Sequence, residues 1–256
     1  MRSSACARRV GDGKSLLGAK NGGRVSGEGE FHRHSGWLIP LGLFTVIAAL
    51  SGIFLLYDLR PVPGPFRDSR PTAAVTMVRI SIRGLKLKVP ARYIESRAAR
   101  GGGDQDVVPL FAALPDMRGY SDAEAALFAG NAADSPVVHL LLRADVNNLD
   151  MKSRLARIYM PYITDSNGED GRFSLTRYTF RADSGYGRDD LYAGNGGETL
   201  FLCERPALDI PSPNCLAIDR PVAPGVSLSY RFKRAQLSHW REIGAGANRL
   251  IAGFRE

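Results

Sequence analysis

The chain has 256 residues, 44 % of them apolar and 23 % charged, the make-up of a folded protein. Its formal charge of +8 is dilute: seven Lys and Arg against three Asp and Glu give +4 to residues 1–36, and the other +4 is spread over 37–256. A nucleic-acid surface needs clustered cations interleaved with aromatics, so nucleic acid is excluded as a partner.

Residues 1–36 are rich in Gly, Ser and Arg without apolar periodicity and read as a disordered basic tail. Residues 37–57, WLIPLGLFTVIAALSGIFLLY, carry no charge. Their length corresponds to about 31 Å of helix, the thickness of a bilayer's hydrocarbon core. Trp37 and Tyr57 stand at the two ends, where amphipathic rings favour the headgroup region. Pro40 falls in the first turn, where its missing N–H costs little. A single transmembrane helix is expected, with the lipid bilayer as partner. The rival, a cleaved signal peptide, would have an apolar region of roughly 7–15 residues and a small-x-small cleavage site, which is not found.

Close to the span the cations tie: Lys20, Arg24 and Arg33 before it, Arg60, Arg67 and Arg70 after it. Over the whole tail the N-terminal side is richer, so the tail is expected in the cytoplasm and the C-terminal domain in the periplasm. Residues 58–73 contain Pro61, Pro63, Pro65 and Pro71 and form a semi-rigid linker.

A folded domain is expected over 74–256. MVRISIRGLKLKVP alternates on both sides of Arg83-Gly84 and predicts a hairpin with Val78, Ile80, Ile82, Leu85, Leu87 and Val89 inward. Its cations Arg79, Arg83, Lys86 and Lys88 then form a solvated strand face. RAARGGGDQD is a loop by composition, and VVPLFAALPDM reads as a strand. Ser121 and Glu124 have the spacing of a capping box opening a short helix to Phe128. VVHLLLRA, 137–144, is a near-continuous apolar run and predicts a central strand. Asp150 caps a helix whose Met151, Leu155, Ile158, Tyr159 and Tyr162 share one face, and Pro161 kinks or ends its last turn. Strands follow at 173–181, 190–193, 198–204, 215–219 and 226–234. A closing helix carries Leu237, Trp240, Ile243, Ala247, Leu250, Ile251 and Phe254 in one stripe, weakened by Gly244 and Gly246. The fold class is α+β: one transmembrane helix, then a mostly antiparallel sheet domain with about three packed helices.

Cys203 and Cys215 bracket the turn-rich ERPALDIPSPN. They are read as a disulfide of an oxidising compartment, or else as two buried thiols. Cys6, in the tail, stays reduced. Among candidate sites, DSGYGRDD is the most suggestive chemically: Asp183, Asp189 and Asp190, with Tyr186, are metal candidates or an acid–base pair on a Gly-rich loop. The competing reading is a plain turn. DSNGEDG, 165–171, has glycines where a calcium loop does not want them and Thr176 at its twelfth position. His32 and His34 are a two-ligand pair without a third, and His139 and His239 read as structural histidines. GGGD at 101–104 lacks the lysine of a phosphate loop, Gly13-Lys14-Ser15 is preceded by Arg8 where that loop needs glycine, and no GxSxG occurs.

The stretches RISIRGLKLKVPARYI (79–94), DSGYGRDDLY (183–192) and SYRFKRAQLSHWREI (229–243), with the Cys203/Cys215 pair, resemble uncharacterised bacterial single-pass membrane proteins over most of 75–256. The resemblance implies an inner-membrane anchor with a periplasmic domain, and carries no activity and no functional residues. The expected function is therefore that of a membrane-anchored envelope protein acting through non-catalytic protein or cell-wall contacts, without a cofactor. The alternative is a metal-dependent ligand binder or hydrolase using the loop 183–190.

Overall fold

The computed structural model describes residues 38–58, 71–145 and 149–256, with side chains over 40–54 in the first stretch. The expected tail, Trp37 and most of the linker lie outside the described residues. The chain falls into two compact units, Met1–Pro61 and Val62–Glu256.

The first unit contributes one helix, α1, Leu38–Asp58. It is apolar on every side: Leu41, Leu43, Phe44, Ile47, Leu50, Ile53 and Phe54 are all exposed. The stretch with described side chains corresponds to only about 22 Å of helix. Among the described residues no helix is long and apolar enough to cross a membrane. The helical backbone runs 21 residues and overlaps the expected span at 37–57, but the single membrane crossing expected there is not found among the described residues.

The second unit is α+β, with a large antiparallel sheet, a smaller sheet and a few helices. β1 (Met77–Ile82) and β2 (Leu85–Pro90) pair with Ile82 opposite Leu85, so Arg83 and Gly84 alone make the turn. Their φ values of 48° and 85° give the hairpin turn whose twist suits paired strands. Ile80, Ile82, Leu87 and Val89 are buried, while Arg79, Lys86 and Lys88 face solvent. The stretch expected as a loop supplies β3, Gly103–Asp104, parallel to β1. Gly102 makes this possible: its φ is 72°, and a Cβ there would stand 2.8 Å from the Arg79 carbonyl oxygen.

The large sheet is assembled from β4 (Val107–Ala113), β5 (Val137–Ala144), β6 (Glu169–Gly171), β7 (Leu175–Thr179), β8 (Asp189–Gly194), β9 (Thr199–Glu204), β10 (Asn214–Ala223) and β11 (Val226–Lys233), in the order β4-β5-β11-β10-β9-β8-β7-β6. α2 is Ala125–Ala129, α3 is Met151–Arg154 and α4 is Trp240–Phe254. Three further elements depart from expectation. The α-helix from Met151 lasts one turn, then widens to a π-turn over Leu155–Tyr159 and tightens to a 3-10 turn over Met160–Tyr162. Pro161 cannot donate the i→i−4 bond, so the regular helix cannot reach it. Strand β7 starts at Leu175 because Phe173 and Ser174 turn at φ 66° and 59°. The GEDG stretch, considered in the sequence as a calcium loop and rejected, pairs as β6.

One face of the large sheet packs on the small sheet and α4 through Leu110, Leu140, Leu228, Phe232, Phe201 and Trp240. The other face is only partly covered. On β8–β10 it carries Leu191, Ala193, Leu200 and Ile218 beneath Met151, Tyr159, Ile163 and Phe180. At β4, Phe111 is closed over by Tyr120 and Phe128, with ring centroids 6.3 and 5.0 Å away. Between these two covers the middle strands are partly open, at Leu216 and Arg231, while Ser227, Ser229 and Lys233 are buried.

Candidate functional site

The open strip is built by strand alternation. In β5, Val138, Leu140 and Leu142 point to the main core, which leaves His139, Leu141 and Arg143 on the other face. In β11, Leu228, Tyr230 and Phe232 point inward and Ser227, Ser229, Arg231 and Lys233 outward. The register aligns Phe111, His139, Arg231 and Leu216 as one row across four strands, and Leu141 with Ser229 as the next.

A groove of about 530 Å³ runs over these rows, lined by Glu95, His139, Leu141, Leu216, Ser229 and Arg231. A cleft of about 290 Å³ shares His139 and Arg231 and adds Asn131, Ser135, Asn214 and Lys233. His139 Nδ1 lies 3.2 Å from Glu95 Oε2, which fixes the ring. Arg143 pairs with Asp219 on β10. Arg231 is exposed, and Leu216 is 40 % exposed between them. Burial, with the Arg231 charge adding to it, pulls the Lys233 ammonium below its usual pKa against the pull of Glu204. The exposed Leu216 and partly buried Leu141, beside an Arg231 guanidinium that makes no ion pair among the described residues, make a surface suited to recognition by contact.

The loop 183–190 is organised as a turn. Ser184 Oγ donates to the Arg181 carbonyl at 2.7 Å, and Asp183 is exposed beside Arg181 Nε at 3.4 Å. A Cβ at Gly187 would stand 2.9 Å from the Ala182 carbonyl oxygen. The Tyr186 ring stacks on Phe180 at 4.9 Å and belongs to the second core. Asp189 and Asp190 are consecutive strand residues and so point to opposite faces. Asp190 is 4 % exposed, held at 2.8 Å by both Arg205 Nε and Arg234 Nη2. Asp189 stands opposite Glu204 on β9, and burial, then Glu204, raises its pKa. The three carboxylates do not converge, and among the described residues no three His, Cys, Asp or Glu side chains gather where a metal ion could be held.

Cys203 and Cys215 are cross-strand partners and form a disulfide. His239 is exposed ahead of α4, and His32 and His34 lie outside the described residues. Glu95, Arg231, Lys233 and Asn131 were not singled out in the sequence, and His139, expected as a structural histidine, is partly buried against Glu95 while also lining the groove. The signal was the period of two: Ser227, Ser229, Arg231 and Lys233 alternate with Val226, Leu228, Tyr230 and Phe232, and His139 and Arg143 break the apolar run of β5 on one face only.

The class these features define is an α+β protein whose large antiparallel sheet has one covered face and one partly open face. No family profile and no curated protein sequence matches the chain. Among solved structures it is similar to an immunity protein of the Stenotrophomonas maltophilia type IV secretion system, with a TM-score of 0.51 and 14 % identity over 74 % of this chain and 99 % of that one. The iron-regulated outer membrane lipoprotein FrpD of Neisseria meningitidis aligns with a TM-score of 0.37 and 13 % identity over 74 % of this chain and 97 % of that one. The likeness to the first is one of fold.

Proposed function

We propose that the chain is a membrane-anchored envelope protein of a bacterial cell, whose C-terminal domain lies in the periplasm and acts by non-catalytic binding of a protein or cell-wall partner. The observation that carries the reading is the groove between the two covers of the large sheet, where Leu141, Leu216 and Arg231 stand ready for contact. The disulfide supports an oxidising compartment. The apolar surface around α1 supports insertion into lipid rather than packing in a core. The fold likeness to an immunity protein of a secretion system is in keeping with a binding role.

The test is rescue of a deletion strain. Leu216→Arg, which places a charge on the groove floor, should abolish rescue at unchanged protein level. Asp183→Ala, on the exposed turn, should rescue fully. The opposite pattern would return the function to the loop. Anchoring is tested separately: the full chain should resist carbonate extraction and expose a C-terminal tag to label in spheroplasts, and a wholly soluble chain would overturn it.

A further inference from the structure

Lys233 is a buried cation without a counter-ion in contact among the described residues. Only 7 % of the residue is exposed, so its stem is enclosed while its ammonium reaches the cleft. That ammonium donates to three neutral oxygens: Asn131 Oδ1, Asn214 Oδ1 at 3.1 Å and the Ser212 carbonyl at 3.4 Å. Among the described residues no carboxylate lies within ion-pair distance of it. The Glu204 carboxylate instead accepts from the backbone N–H and the side-chain amide of Asn214, at 2.7 and 3.0 Å, and reaches Lys233 only at longer range. The next outward residue on the same strand, Arg231, is a second cation, and it too makes no ion pair among the described residues. Buried charges are ordinarily paired, because leaving water uncompensated is costly. Here two cations face one cleft: the three neutral oxygens fill the donors of the Lys233 ammonium but do not balance its charge, and an anion that took over one of those donors would supply the counter-charge.

The cleft supplies the remaining contacts. Ser135 Oγ accepts from the Val137 N–H at 3.3 Å, which leaves its hydroxyl hydrogen to donate. Asn131 turns its oxygen to Lys233, which leaves its amide hydrogens to donate. The Arg231 guanidinium offers the planar fork that matches a carboxylate. Glu95 stands behind His139 and Glu204 behind Asn214, both of which line the cleft, so the positive charge available suits a single negative charge better than a phosphate dianion. The apolar floor of Leu141 and Leu216 adjoins through His139 and Arg231, as the side chains next to an acid in a peptide would require.

The geometry points to a carboxylate site between Lys233 and Arg231, filled by an Asp or Glu side chain from an acidic segment of the protein partner. This rests on the reading of the groove as a protein-binding surface and names the chemistry that the surface selects.

The test uses the full chain in detergent, titrated with a blocked hexaglutamate peptide, its glutamine counterpart and inorganic phosphate. The glutamate peptide should bind, the glutamine peptide should not, and added salt should weaken binding. Arg231→Gln, at an exposed position, should weaken the peptide at least tenfold with an unchanged unfolding curve, and Arg231→Lys should keep part of the affinity. Lys233→Met should lose binding as well; if it fails to fold, Arg231→Gln decides. Equal binding by Arg231→Gln, no binding of the glutamate peptide, or tighter binding of phosphate than of peptide would each overturn the carboxylate site. Leu216→Arg in the rescue assay tests the groove independently, so a failed cleft and a failed groove give different results.

Discussion

Gly244 and Gly253 lie in the same helix and should respond oppositely to alanine. A Cβ at Gly244 would stand 2.9 Å from the Tyr230 hydroxyl, in a buried contact where burial already pushes that hydroxyl's pKa up to about 12. Gly253 has nothing within 4 Å. Gly253→Ala should therefore gain up to about 1 kcal/mol from helix propensity. Gly244→Ala should lose roughly 1–3 kcal/mol by overpacking, both read from urea unfolding midpoints. Asp189 offers a second residue-scale prediction. Its folded pKa is raised above 3.8 by burial and by Glu204 opposite, so ionising it opposes folding. The penalty is absent at low pH and appears as pH rises through the folded pKa. Asp189→Asn should thus stabilise the chain at neutral pH by a few tenths to about 1 kcal/mol, the scale of a like-charge cross-strand pair. The gain should vanish below about pH 4.

Elements whose pattern follows one period were readable from the chain, and elements that mix periods were not. The hairpin of β1 and β2 was legible because alternation and an Arg-Gly turn agree on one register. The helix from Met151 was legible in its cap, since the Ser153 N–H donates to Asp150 Oδ1 at 2.9 Å, but its π and 3-10 turns have no sequence period of their own. β3 and β6 were hidden because their pairing depends on glycines passing close to a partner strand: a Cβ at Gly171 would stand 2.4 Å from the Leu175 carbonyl oxygen. The candidate site was hidden for a different reason, since it joins residues of β5, β10 and β11 that only the strand order brings side by side. The disulfide, by contrast, was legible from cysteine count, and it closes the loop between β9 and β10. Removing it with Cys203→Ala and Cys215→Ala should cost about 2–3 kcal/mol. That corresponds to a fall in Tm of roughly 4–12 °C, measured by thermal unfolding.

At the scale of the whole domain, Asp190 ties the sheet to the C-terminal helix. Arg234, in the turn that leads into α4, donates to the Asp190 carboxylate, to the Tyr192 hydroxyl at 2.8 Å and to the Glu204 carbonyl at 2.7 Å. Arg205, just past β9, closes the other side of the carboxylate. One buried acid thus joins β8, the end of β9 and the exit of β11, and through that exit it sets where Trp240 meets the core. Trp240 in turn donates from Nε1 to the Phe173 carbonyl at 3.1 Å and carries Arg241 over its ring at 4.3 Å. Taking away Asp190 leaves two guanidinium groups facing a site built for an anion, a loss of roughly 3–5 kcal/mol. Asp190→Ala should therefore fail to rescue a deletion strain by unfolding, with lowered protein level and a lost unfolding transition. Asp183→Ala, whose ion pair with Arg181 is exposed, should change stability by less than about 1 kcal/mol. A folded Asp190→Ala that has lost function would instead place chemistry at this carboxylate, which makes the protein level in the same strain the deciding measurement.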